Sequence, residues 1–160
     1  MLTVHQPKVF SRNLVLYDGN SSVAEVRYRS FTEAAEIAIG GDRYIATRSG
    51  WFRSEYTLTL GDSQVAQAEG EGFWQRAYRI RAASSSYLLK RQPGWFQTGW
   101  LLLEDERSLG TLERRGFFQT ETVVTFSTGV PLHLRAFIIW MANVIWRQDQ
   151  SATAAAAAAG

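Results

Sequence analysis

The chain of 160 residues is 46% hydrophobic and 13% aromatic, a globular composition that excludes disorder and suffices for one domain with its own core. It has no cysteine, which excludes disulfides, zinc–thiolate centres and thiol nucleophiles. A net charge of +2 leaves no strong electrostatic footprint for nucleic acid, so no nucleic-acid partner is expected.

The N-terminal stretch Met1 to Phe10 lacks the apolar core of a signal peptide, so a cytoplasmic protein is expected, peripheral to a membrane if it meets one. From there the chain repeats itself. Gly50-Trp51-Phe52 recurs as Gly94-Trp95-Phe96, a shift of 44. At that shift Tyr56 meets Trp100, Leu58 meets Leu102, Val65 meets Leu109, Glu69 meets Glu113, and Gly72-Phe73 meets Gly116-Phe117. Trp74 likewise meets Phe118, and Gln75 meets Gln119. Tyr44 and Arg48 match Tyr87 and Arg91 one residue out of step, with Pro93 as the insertion. A fainter copy lies N-terminal at a shift of 42, setting Leu16 on Leu58, Val23-Ala24 on Val65-Ala66 and Phe31 on Phe73. The units span about 9–40, 44–81 and 87–125.

Each unit reads as strands joined by tight turns. In Phe52–Leu60 the alternation puts Phe52, Ser54, Tyr56, Leu58 and Leu60 on one face. Tyr78-Arg79-Ile80-Arg81 alternates in the same way. Turn signals stand at Asp18-Gly19-Asn20, Gly40-Gly41-Asp42, Gly61-Asp62 and Glu104–Ser108. About four short strands fit each unit, hence about twelve in all.

Gly129-Val130-Pro131 then opens a helix over 131–148 that is apolar on every side, from Leu134 to Trp146. At about 1.5 Å per residue it reaches some 27 Å, the height of a barrel wall. His133, Arg135 and Asn143 weigh against a bilayer span, which needs about 20 predominantly apolar residues. Arg135 and Asn143, on broadly the same side, read as structural groups that set the helix register. Residues 151–160 form an alanine-rich tail able to prolong the helix. The fold class expected is therefore mainly β: a closed antiparallel barrel of about twelve strands around a buried hydrophobic C-terminal helix, one domain over 1–150. A β-propeller is the alternative, but three blades are too few.

With these features the chain resembles the tubby C-terminal-like superfamily, which includes phospholipid scramblases and LURP-one-related proteins. The likeness rests on Val130-Pro131-Leu132 leading into Phe137-Ile138-Ile139-Trp140 and ending at Ile145-Trp146-Arg147. Trp51-Phe52 and Gly116-Phe117-Phe118 add strand patterns found in small bacterial relatives. It covers Val9 to Arg147 as a pattern and not as an exact motif. The resemblance implies a twelve-stranded barrel around the C-terminal helix, and it brings membranes to mind: tubby proteins bind phosphoinositides and scramblases act at bilayers. No local match carries either family's lipid- or calcium-binding residues onto this chain. The segment Thr120–Gly129, where scramblases hold an acidic metal site, contains only Glu121.

Chemistry is sparse. His5, in an N-terminal segment expected to be mobile, and His133, expected as a hydrogen-bonded structural group, are too few for a triad or a metal centre. Glu69-Gly70-Glu71 and Glu104-Asp105-Glu106 read as solvated turns, not paired catalytic acids. No cofactor is expected, and an enzyme is the less favoured reading. Lys8 and Lys90 are the only lysines, and arginine's planar fork suits phosphate and carboxylate. Arg76, Arg79, Arg81, Arg114 and Arg115 are the candidates for an anion- or lipid-binding rim. The expected role is a non-enzymatic binding or scaffold domain with an anionic membrane surface or phospholipid head groups as partner. Insertion of Leu132–Trp146 into a bilayer is the rival.

Overall fold

Alternation of apolar and polar side chains makes twelve strands, and a computed structural model shows how they close. It describes residues 1–5, 13–30, 32–50, 53–72, 76–92, 99–115 and 121–160. The first four strands are β1 (Leu2–His5), β2 (Leu14–Asp18), β3 (Ser21–Tyr28) and β4 (Ala35–Ile39). The next four are β5 (Asp42–Ser49), β6 (Glu55–Leu60), β7 (Ser63–Glu71) and β8 (Ala77–Ala82). Then follow β9 (Ser85–Arg91), β10 (Gly99–Glu104), β11 (Arg107–Arg115) and β12 (Glu121–Val124), and the helix α1 (Leu132–Ala159). Each strand pairs antiparallel with its chain neighbours, and β1 pairs with β12 to close one barrel. A single closed wall replaces the separate blades of the propeller alternative.

Antiparallel order gives the barrel two unlike ends. Two-residue turns join β2–β3, β4–β5, β6–β7, β8–β9 and β10–β11 at one end. The longer connections lie at the other. α1 follows β12, so it enters at the tight-turn end and emerges among the longer connections; we refer to these as the entry and exit ends. Register shifts fall after Leu16, Leu58 and Leu102, the positions that shifts of 42 and 44 set in correspondence. The segments Trp51-Phe52, Phe73-Trp74-Gln75, Pro93, Gly94-Trp95-Phe96 and Gly116–Gln119 of the sequence comparison, with Phe31, lie outside the described residues.

Eleven residues of α1 between Leu134 and Trp146 are buried, and Ala136–Ala142 are buried consecutively, so every face of the helix is covered. Inward side chains of the wall explain its position. β3, β4 and β5 present Ala24, Ala35 and Ala46, and α1 packs closest to these three strands. Tyr56, Tyr78 and Trp100, on β6, β8 and β10, fill more of the remaining circumference, with Tyr56 edge-on to Trp140. Small residues let the helix backbone approach, and large ones occupy what remains of a lumen wider than its own side chains fill. The outward face carries Glu36, Thr57, Gln67, Arg79 and Arg81, the reverse of a lipid-facing band. Among the described residues no helix is long and apolar enough to cross a membrane.

Several local expectations need correction. Pro131 caps the helix and does not belong to it, so α1 starts at Leu132; the alanine tail prolongs it to Ala159, as its composition allows. His5 belongs to β1, edge-on to Tyr17, because β1 is held between β2 and β12. Glu69-Gly70-Glu71 ends a strand and not a hairpin: Glu69 lies 3.8 Å from Arg81, and Glu71 accepts Nε of Arg79 at 2.6 Å. Arg135 donates Nε to the Val130 carbonyl at 2.6 Å and so ties the first turn to the linker.

His133 stacks on Tyr44, ring centroids 5.3 Å apart, in place of the expected hydrogen-bonded arrangement. Burial holds its imidazole below the ordinary 6.5. Between that lowered value and the ordinary one, the unfolded chain therefore binds more protons than the folded chain. Stability is full above that ordinary value and declines as pH falls through it. The melting temperature is expected to drop between about pH 7 and pH 5.5, and His133→Phe should flatten that interval. An unchanged slope in the variant would assign the effect to other groups.

Candidate functional site

The five arginines singled out from the sequence do not form one patch. Arg79 and Arg81 stand on the outer wall at β8, each facing a glutamate of β7. Arg115, three strands away on β11, lies 3.5 Å from Glu113. Exposed pairs of this kind contribute about 0–1 kcal/mol and leave little charge for a partner. Arg76 is exposed in the β7–β8 connection and forms no ion pair among the described residues. Arg114 differs from all of these. Strand alternation turns it opposite to Arg115, inward toward the emerging helix.

Four arginines gather where α1 leaves the barrel, three on the wall and Arg147 on the helix itself. Two are matched by carboxylates. Arg48 Nη1 lies 3.0 Å from Glu33, and its Nη2 donates to Ser54 Oγ at 3.1 Å. Glu33 also accepts Gln148 Nε2 at 3.0 Å, while its backbone carbonyl accepts Trp140 Nε1 at 3.0 Å. Arg91 lies over Trp100 and pairs with Asp149 at 2.8 Å. These contacts latch the helix to β5, β9 and the β3–β4 connection.

The other two are not matched. Arg114 Nη2 donates to Asn143 Oδ1 at 2.8 Å, and its guanidinium lies 4.4 Å above the Trp146 ring. Asn143 Nδ2 donates to Tyr28 Oη at 2.9 Å, and Arg147 lies 4.5 Å over the Tyr28 ring. All fifteen Asp and Glu belong to the described residues, and none of them pairs with Arg114 or Arg147. Arg147 donates no side-chain hydrogen bond among the described residues, and Trp146 Nε1 is buried without an acceptor. Burial lowers the pKa of Arg114 below the ordinary guanidinium range, and the Arg147 charge adds to that. Burial pushes Tyr28 up, which keeps a neutral phenol whose O–H is free to donate. Donors converge here and acceptors are lacking.

From the sequence, Asn143 read as a register-setting group, and it does bind both flanking walls. Tyr28 and Arg147 as partners of Arg114 were not foreseen. They stand on three elements far apart in the chain, so no local spacing joins them.

At the entry end a cavity of about 340 Å³ is lined by Ser85, Tyr87, Glu104, Arg107, Ser127 and Val130, among others. Ser127 Oγ already accepts from Gly129 N at 3.4 Å. Neither histidine lines it, and no group of three His, Asp or Glu able to hold a metal occurs among the described residues. Comparison of the chain with protein-family models, with curated proteins and with solved structures finds no match.

Proposed function

We propose that the protein is a non-enzymatic binding domain of tubby-like fold whose exit end meets an anionic membrane surface. The observation that carries this reading is the charge difference between the two ends. Entry-end turns hold Asp62, Asp105 and Glu106, with Asp42 and Arg107 at the first positions of the adjoining strands. Three successive exit-end connections each hold one exposed arginine, Arg29, Arg53 and Arg76, and none of these is ion-paired among the described residues. Such a dipole orients the barrel on a negative surface before any contact forms. The filled lumen directs the reading outward, because α1 occupies the space where a ligand would sit. A twelve-stranded wall around a C-terminal helix is in keeping with the tubby-like resemblance, and the bulges after Leu16, Leu58 and Leu102 support three related units.

Each arginine near an anionic surface contributes about 1 kcal/mol, so three give about a hundredfold in partitioning at low salt. Flotation with vesicles of phosphatidylcholine alone or with added phosphatidylserine tests the reading. Wild type is expected to float only with the anionic vesicles, and the triple change of Arg29, Arg53 and Arg76 to Gln to remain at the bottom. Equal behaviour on both vesicles would refute it.

A further inference from the structure

We infer that Arg114, Arg147, Tyr28 and Trp146 form a discrete site for one phosphate group at the exit end of the barrel. The chemistry of the cluster defines its ligand. Two guanidinium groups converge on a single tyrosine: Arg147 over its ring at 4.5 Å, and Arg114 through Asn143, which donates to the phenol oxygen at 2.9 Å. No side-chain carboxylate of the chain compensates them, although the neighbouring Arg48 and Arg91 each have one, at 3.0 and 2.8 Å. Like charges held close and partly desolvated are costly, and an anion between them reverses that cost.

The donors select among anions. Asn143 Oδ1 is taken by Arg114, so the cluster offers the remaining guanidinium N–H groups, the Tyr28 hydroxyl and the Trp146 indole N–H, but no free acceptor. A phosphate monoester carries about −1.5 to −2 charge near neutral pH and three strong acceptor oxygens, which match two guanidinium groups and two neutral donors. A single carboxylate brings about half to two thirds of that charge and one fewer acceptor oxygen. Arg114 and Arg147 are both half-buried, which strengthens charge-assisted bonds relative to those on an open surface. The site is distinct from the exposed rim arginines and does not depend on their touching a membrane.

Thermal shift and calorimetric titration with inorganic phosphate, at ionic strength held constant with chloride, test the site in the full chain. Wild type is expected to melt higher as phosphate is added. Arg147→Gln is expected to melt higher than wild type without phosphate, since a like charge is removed, and to bind phosphate about 10- to 100-fold more weakly. Tyr28→Phe keeps the ring beneath Arg147 and deletes one donor, so it weakens binding by a smaller factor and serves should Arg147→Gln fold poorly. Arg29→Gln at the rim should bind inorganic phosphate as wild type does, which separates this site from the membrane reading. Vesicles of phosphatidic acid set against phosphatidylserine identify the source. Preference for the monoester lipid, lost in Arg147→Gln, assigns a head group; phosphate binding without that preference assigns a soluble phosphate. A wild-type protein indifferent to phosphate, or variants that respond as it does, would overturn the proposal.

Discussion

Ile139→Asp is expected to abolish cooperative folding. Ile139 is 1% exposed, near the middle of the enclosed stretch Leu134–Trp146, and its neighbours Ile138 and Trp140 are fully buried. A carboxylate at this position would exchange water for an apolar lumen without a charged partner, a cost of several kcal/mol even after protonation. Loss of the isoleucine side chain adds about 2–5 kcal/mol, as in other large-to-small core changes. Together these rival the 5–15 kcal/mol that holds a typical domain together. Circular dichroism and a urea titration check the outcome. Ile139→Val, which removes one methylene group, should cost only about 0.5–1.5 kcal/mol. A soluble Asp variant that melts cooperatively within a few degrees of wild type would show that the helix is not the core.

Gly110→Ala is expected to destabilise the barrel by about 3 kcal/mol, an unusually large effect for one added methyl group. Gly110 has φ +130°, and a Cβ there would lie 2.4 Å from the Thr125 carbonyl oxygen and 2.8 Å from Phe126 Cα. Both neighbours are backbone, and that backbone is held: Thr125 N donates to Thr111 O at 2.9 Å and Ser127 N to Leu109 O at 2.7 Å. This is where the chain leaves β12 and turns toward the lumen to begin α1. Residues in register at the other bulged hairpins are Ala24 and Ala66, where no linker passes. Gly61→Ala is the comparison, since its φ is +59° but nothing lies within 4 Å of the added methyl. That change should cost about 1 kcal/mol, from backbone conformation alone. Equal losses at the two glycines in urea unfolding would show that the linker is free to yield.

Much of the wall was legible because a half-buried strand must alternate. Tyr56, Leu58, Tyr78 and Ile80 are all inward and at most 3% exposed, as their spacing predicts. Gly19, Gly40 and Gly61 mark turns because they adopt positive φ without strain. The β8–β9 turn escaped detection for the same physical reason in reverse. Ala83 takes φ +50° there, a conformation its side chain disfavours, so it carries no composition signal. At the exit end, Arg114 was singled out as basic, but nothing in its surroundings along the chain separates it from Arg115. Alternation alone sends one toward Asn143 and the other outward beside Glu113.

Local periodicity and turn chemistry thus determined the strands, their faces and an apolar helix, since these depend on neighbours along the chain. Closure of β1 on β12, the passage of the linker past Gly110 and the matching of cations to carboxylates were decided only by tertiary structure. Asn143 and Tyr28 meet across 115 residues. Whether an arginine is neutralised depends on which carboxylates folding brings within reach, and at Arg114 and Arg147 it brings none.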